Sequence, residues 1–178
     1  MKNRTPHRVA VLISLFLGSV ALLGDAWLPA GAGSVQITSL CTKGEKIVFS
    51  CPLKRSTKIV SLCSSTRFTK TQGYLQYRFG VPGKVELEYP KNRVESQKAF
   101  HYSHYFRYQV DLTDISFSLE GNTYTVFHQF NGEEKPKISE FGLTVAPPDK
   151  KEVQYSCRGR AKADFGDLPD VFENEFPL

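Results

Sequence analysis

Apolar and polar side chains alternate with a period of two residues through much of the chain, which is the pattern of half-buried β-strands. The clearest stretch is 84–89, where apolar residues alternate with Lys84, Glu86 and Glu88. Similar alternation runs over 115–119, 124–130 and 153–157. After the N-terminal region no stretch keeps an apolar period of about 3.6 residues, so the pattern predicts an all-β domain.

Turn-forming residues separate these apolar runs. Pro82-Gly83 falls between two runs, and Pro147-Pro148-Asp149 precedes the last one. Gly121-Asn122 favours positive φ and a tight hairpin. About eight short strands with turns at this spacing predict either a small antiparallel β-barrel or a β-sandwich, and the pattern does not distinguish the two.

The N-terminus has the three parts of a bacterial secretory signal peptide. An apolar run over 9–23 is followed by small residues at 30–34. The basic residues before it are Lys2, Arg4 and Arg8. We predict that 1–32 is removed, with the small residues at 24–26 as an alternative cleavage site. An uncleaved anchor is disfavoured because a span needs roughly 20 apolar residues. No later run is apolar enough, so we expect a periplasmic or secreted protein without a membrane span.

Four cysteines follow the predicted signal, and an even number in an exported chain predicts two disulfides. Residues 46–51 and 58–63 resemble each other and each ends in cysteine, with a polar join that predicts a β-hairpin. In that hairpin Cys51 lies at the turn and Cys63 at the open end, too far apart for a bridge. We therefore favour Cys41–Cys63 and Cys51–Cys157, although all three pairings stay open.

Charge divides the exported chain into a basic body and an acidic tail, although the whole sequence has a net charge of +5. Residues 33–160 hold 19 Lys+Arg and 12 Asp+Glu, whereas 161–178 holds one Lys and five acidic residues. We treat 33–160 as the β domain and 161–178 as an acidic C-terminal tail. Asp167 and Pro169 favour a short helical turn within the tail. The tail either docks on the domain through apolar side chains or is mobile; these are Phe165, Val171, Phe172 and Phe176.

Sequence motifs for catalysis, metals or cofactors are lacking. The cysteine spacing is unlike that of zinc sites, and His101 and His104 point to opposite faces of a strand. No Gly-x-Ser-x-Gly, His-Glu-x-x-His or Ser-x-x-Lys motif occurs. We predict no enzymatic activity, no cofactor, no metal and no nucleic-acid partner, because the basic residues are scattered. A triad assembled across strands is recognised by geometry alone, so a small secreted hydrolase using His104 or His128 stays an alternative.

The most unusual stretch is the aromatic-rich segment 100–108. Its even-numbered side is expected to be core, with a hydrogen bond to His104; this side comprises Phe100, Tyr102, His104, Phe106, Tyr108 and Val110. The other side carries His101, Tyr105 and Arg107, and tyrosine and arginine are favoured at interfaces. Together with the hairpin tip Gly121-Asn122, these three are the predicted partner-binding residues. The expected partner is a protein or a cell-wall glycan of the envelope; the oligomeric state is not predicted.

Cysteine-ended strands at both ends of a small exported β domain, with 121–127 in the middle, resemble the C-type lysozyme inhibitors of the bacterial periplasm. That resemblance implies an eight-stranded barrel, a bridge between early and late strands, and a Ser-Gly-x-x-Tyr loop that inserts into the lysozyme cleft. Only Gly121 and Tyr124 match this loop, because Glu120 stands at the serine position. The sequence therefore predicts an exported, non-catalytic binding or envelope-interaction module of unknown ligand, with lysozyme inhibition as an alternative.

Overall fold

The computed structural model describes residues 38–176, so the predicted signal peptide and its cleavage site lie outside the described residues. Over the described residues the chain forms ten strands, one 3₁₀ turn at Ser96–Ala99 and one short α-helix, α1, at Leu168–Val171. The strands are β1 (Glu45–Pro52), β2 (Ile59–Ser65), β3 (Leu75–Val81), β4 (Lys84–Tyr89), β5 (His101–Arg107), β6 (Val110–Leu119), β7 (Asn122–Asn131), β8 (Ile138–Ala146), β9 (Val153–Ser156) and β10 (Lys162–Ala163). No helix in this part of the chain is long and apolar enough to cross a membrane.

The strands form two five-stranded sheets, ordered β10-β1-β2-β3-β4 and β5-β6-β7-β8-β9. Every paired neighbour is antiparallel. The all-β prediction is confirmed, and the arrangement is that of a sandwich, with the buried cluster drawn from both sheets. The strand count exceeds the predicted eight, in part because β10 has only two residues and is too short to show alternation.

The β1–β2 hairpin and both favoured disulfides are confirmed. Pro52 pairs with Ile59 at the turn, whereas Cys63 pairs with Ile47 toward the open end. The Cα atoms are 5.4 Å apart in Cys41–Cys63 and 5.6 Å apart in Cys51–Cys157. Since β1 belongs to the first sheet and Cys157 directly follows β9 of the second, the latter bridge links the two sheets.

The β6–β7 hairpin is also present, but its turn lies one residue earlier than predicted. Glu120 and Gly121 have φ values of 52° and 78°, and Asn122 already belongs to β7. The Asn122 amide nitrogen Nδ2 donates to the Glu120 carbonyl at 3.2 Å. Asparagine therefore stabilises this turn through its side chain, while the left-handed conformation is adopted by the two residues before it.

Aromatic rings fill the middle of the core. Phe117 of β6 is 1% exposed and lies between rings from both sheets. Its ring centroid is 4.4 Å from that of Tyr89, 4.9 Å from that of Tyr77 and 5.0 Å from that of Tyr124. Such offset and tilted pairs contribute packing energy beyond the burial of apolar area.

The outer face of the first sheet buries a charged network around Arg78. The side chains of Arg78 and Glu45 are 2% and 3% exposed, and two parallel hydrogen bonds of 2.6 and 2.8 Å join them. The remaining guanidinium donors bond Glu88, Gln76 and the Leu40 carbonyl. All five N–H groups of Arg78 therefore have acceptors, which is the condition under which a buried charge is tolerated.

The segment before β1 covers this network. Leu40 donates its amide hydrogen to Ser61 Oγ at 3.1 Å, and Ser50 Oγ donates to the Thr38 carbonyl. The Cys41–Cys63 bridge fixes the same segment to β2. This segment buries polar side chains on the outer face of the sheet that would otherwise face solvent.

The acidic tail is packed against the domain along its described length. β10 pairs with β1, the Phe165 ring stacks at 6.2 Å on that of Phe49, and Leu168 and Val171 are buried. The predicted helical turn is present as α1, with Asp167 at the N-cap position. Its carboxylate makes no capping bond and instead accepts a hydrogen bond from Lys46 Nζ at 2.6 Å.

Candidate functional site

A cavity of about 760 Å³ opens between the two sheets. Its wall comes from β3 and β4 of the first sheet, β7, β8 and β9 of the second, and the β1–β2 turn. Ligand pockets in proteins have volumes of roughly 300 to 1,000 Å³. The cavity is therefore large enough for a small organic molecule.

The inner wall of the cavity is mostly apolar. Strand alternation directs these side chains inward, because Phe79 pairs with Leu87 in the first sheet and Leu143 pairs with Tyr155 in the second. The apolar and aromatic lining residues are Leu53, Tyr77, Phe79, Leu87, Tyr124, Leu143, Val145 and Tyr155. Such a lining favours a ligand with an apolar body.

Two tyrosines, Tyr77 and Tyr124, bring hydroxyl groups to this wall. Tyr77 is 1% exposed, and neither hydroxyl hydrogen-bonds another side chain or backbone group of residues 38–176. Burial raises the pKa of Tyr77, and the neighbouring Tyr124 raises it further, so the Tyr77 hydroxyl is protonated at neutral pH. The buried polar atoms without a partner in the described residues are Ser64 Oγ and Gln97 Oε1, and the Tyr77 hydroxyl is not one of them. It reaches the open space of the cavity, where a ligand acceptor or a water molecule can bond it.

The mouth of the cavity is positively charged. Lys54 and Arg55 of the β1–β2 turn line it, are exposed and enter no ion pair among the described residues, whereas Lys58 in the same connection is paired with Glu86. Arg55 has a φ of 55°, close to the 52° of Glu120 in the β6–β7 turn, so this left-handed conformation belongs to the hairpin turn that forms the mouth.

A second, smaller cavity of about 370 Å³ contains two histidines and an aspartate. His104 and His128 lie on one face of the second sheet because both pair with Thr113 of β6. His104 Nε2 lies 3.1 Å from Asp111 Oδ1, which agrees with the predicted hydrogen bond to His104. Burial lowers the pKa of His128, and its ring stacks at 4.4 Å on Phe141.

These groups are not arranged as a metal site or a catalytic triad. Among the described residues, the group of potential metal ligands that lie close enough together is Cys41, Glu45 and Cys63, and its two cysteines are joined in a disulfide. The hydrogen bonds of His101 and His104 are made to carboxylates and to Asn174, and none joins a histidine ring to a hydroxyl group.

The predicted partner-binding residues are spread along β5 and the β6–β7 turn. His101 and Arg107 lie at opposite ends of β5, about 20 Å apart at the rise of an extended strand. Gly121 and Asn122 lie beyond the His101 end, because His101 pairs with Ser116 and the turn follows β6.

Contacts within the chain occupy three of these residues. Arg107 donates to Glu133 at 2.6 Å, His101 Nδ1 lies 2.8 Å from Glu175 Oε1, and the Tyr105 ring lies 4.8 Å from that of Phe176. His101 and Tyr105 therefore meet the C-terminal tail.

The expected core side of the aromatic segment is wrong at its far end. Phe100 and Tyr102 are buried, but Phe106 and Tyr108 are 73% and 82% exposed. The predicted side also extends past the end of the strand, because β5 ends before Tyr108, which lies in the turn, and the buried Val110 belongs to β6. Alternation carries no information on where the opposing layer ends, and on this strand the buried cluster ends at Tyr102.

Comparison with protein-family models, with curated proteins and with solved structures finds no match to this chain. The resemblance to lysozyme inhibitors therefore stays a prediction.

Proposed function

We propose that the protein is a non-catalytic binding module that takes a small amphipathic ligand into the cavity between its sheets. The observation that carries this proposal is an open cavity of about 760 Å³ with a mostly apolar wall and two exposed cationic side chains at its mouth. Interiors are normally packed to high density, and a cavity that departs from this rule has the character of a binding site.

The chemistry of the wall supports an amphipathic anion as the ligand. Apolar side chains from both sheets favour an aliphatic or aromatic body. Lys54 and Arg55 at the mouth favour a negatively charged group, since neither is neutralised by a described carboxylate. The Tyr77 hydroxyl is placed to donate a hydrogen bond to an oxygen atom of the ligand.

We further propose that the protein works outside the cytoplasm, in the periplasm or after secretion. Two disulfides and no free cysteine are found in the described residues. Disulfides persist in oxidising compartments, and the N-terminal sequence has the composition of an export signal.

Titration of the oxidised protein with 1-anilinonaphthalene-8-sulfonate, a fluorescent anion with an apolar body, tests the proposal. We expect saturable binding that decanoate displaces. Neutralising the mouth with Lys54→Gln/Arg55→Gln should weaken the binding several-fold. The matched control is Lys135→Gln/Lys137→Gln, which removes two exposed charges outside the cavity and should leave binding unchanged.

The outcomes separate the two parts of the proposal. If decanol, which has the same chain without the charge, displaces the probe as well as decanoate does, the cavity binds apolar molecules but the anionic preference is wrong. If the probe does not bind in a saturable manner, or if Val145→Phe within the wall leaves its binding unchanged, the cavity is not the binding site.

Two functions from the sequence stay as alternatives. Lysozyme inhibition is tested by a clearing assay with the oxidised protein, and no inhibition at micromolar excess removes it for the lysozymes used. A small hydrolase requires an essential histidine, which His104→Gln and His128→Gln test once a substrate is turned over.

A further inference from the structure

The C-terminal tail of the same chain lies along the outer edge of β5, the strand at one end of the second sheet. Residues 174–176 run parallel to this strand, and the Glu175 amide donates to the Tyr102 carbonyl at 2.9 Å. The Asn174 side chain imitates a further strand residue: its Oδ1 accepts from the His104 amide, and its Nδ2 donates to the His104 carbonyl, both at 2.8 Å. An unpaired sheet edge is a template for an added strand, and here the tail fills it.

Side chains of the tail add specific contacts on both faces of the strand. Phe172 packs against Tyr102 on the inner face, and Phe176 packs against Tyr105 on the outer face. The Glu175 carboxylate lies beside His101. The edge thus binds an extended, acidic segment with aromatic residues on either side of an asparagine.

The described part of the tail, which ends at Phe176, lies along only part of this edge. Its contacts with β5 reach Tyr105, and Phe106 and Tyr108 just beyond are the most exposed aromatic side chains of the described residues. A segment that follows the same path beyond Tyr105 would reach these two rings. Exposed aromatic groups beside an edge that already accepts a strand are typical of an interaction surface.

Charge favours the same class of partner. The body over 33–160 carries a net charge of +7 and the tail over 161–178 a net charge of −4. We propose that the β5 edge is an exchangeable peptide-binding site, held by the tail until an extended acidic, aromatic segment of a partner protein replaces it. This proposal is independent of the cavity ligand.

A fluorescein-labelled peptide that copies residues 167–178 is the probe for this site. In the full-length protein the tethered tail competes at an effective concentration in the millimolar range, so the peptide should bind weakly. Asn174→Ala/Phe176→Ala in the protein removes three hydrogen bonds, two of them to β5, and one ring contact. We expect this variant to bind the peptide at least ten-fold more tightly than wild type. A control peptide with the same two alanine substitutions should bind neither protein.

Equal affinity of the two proteins for the peptide, equal affinity of the two peptides, or no binding to the released variant overturns the proposal. If the double variant does not fold, Asn174→Ala alone provides the comparison, because this side chain contacts backbone at the sheet edge and fills no core position. Release of the tail in this variant should give faster hydrogen exchange at the His104 amide. A wild-type dimer that Asn174→Ala converts to a monomer would show that the tail of a second copy occupies the edge. That result would contradict the proposal that the replacing segment belongs to a different protein.

Discussion

Tyr77→Phe and Tyr74→Phe delete the same hydroxyl group from two different environments. The Tyr74 hydroxyl donates to Glu45 Oε1 at 2.7 Å and accepts from Arg93 at 3.2 Å. Hydrogen bonds to charged groups stabilise a protein by about 1.5 to 3 kcal/mol, so Tyr74→Phe should lower the free energy of unfolding by about 1 to 2 kcal/mol after allowing for partial exposure. Tyr77 has no such partner, so Tyr77→Phe should leave the free energy within about 1 kcal/mol of wild type or raise it.

Urea unfolding followed by far-UV circular dichroism measures both changes, since the one tryptophan, Trp27, precedes the β domain. The same variants are then titrated with the anionic probe. The oxygen atoms of this probe belong to its charged sulfonate, so one hydrogen bond to it is worth about 1.5 kcal/mol or more. Its loss predicts binding about ten-fold weaker or more for Tyr77→Phe and unchanged binding for Tyr74→Phe. If Tyr77→Phe destabilises the fold as much as Tyr74→Phe and leaves probe affinity unchanged, Tyr77 is a structural residue and the cavity argument fails.

Three further changes have defined outcomes. Burial alone raises the pKa of Glu45, but hydrogen bonds led by Arg78 lower it to about 2; its contribution to stability is therefore complete above pH about 5 and is lost as the pH falls toward 2. Acid unfolding curves should show a loss of at most about 3 kcal/mol over this interval, and in Glu45→Gln this part of the pH dependence disappears. Cys51→Ala/Cys157→Ala opens a loop with a sequence separation of 106 and should cost about 4 to 5 kcal/mol, more than the roughly 3 kcal/mol for the separation of 22 in the other disulfide; urea unfolding compares the two. Val145→Phe, at the cavity wall, should reduce probe affinity at least five-fold while changing the unfolding midpoint little, because the cavity has room for the ring.

Local geometry explains why the hairpins and disulfides could be predicted from the sequence. The polar join between two cysteine-ended strands places Cys51 at a turn and Cys63 at an open end, whatever the rest of the fold does. The short helix is also local, with Pro169 in its first turn, although Asp167, the predicted cap, makes no capping bond. These features depend on residues near each other in sequence or on one pairing register.

The cavity and the Arg78 network depend on long-range packing, which alternation does not encode. Tyr77 and Tyr124 have the pattern of ordinary core residues, and alternation does not reveal that the sheets separate at this end and leave both side chains in a cavity wall. Arg78 occupies a position that alternation assigns to solvent, and the segment that covers it comes from before β1. Its buried partner Glu45 lies 33 residues away in the chain.

Two adjacent residues of β3 have different roles because their side chains lie on opposite faces of the first sheet. Arg78 points outward into a network in which all its donors are bonded, while Tyr77 points inward to a cavity in which its hydroxyl is not. Larger side chains along β8 would pack this end of the core more fully. The chain instead retains an open cavity with Lys54 and Arg55 at its mouth, both exposed and unpaired within residues 38–176. Since an unfilled cavity costs stability, its retention beside these two charges favours ligand binding as the function of this end of the sandwich.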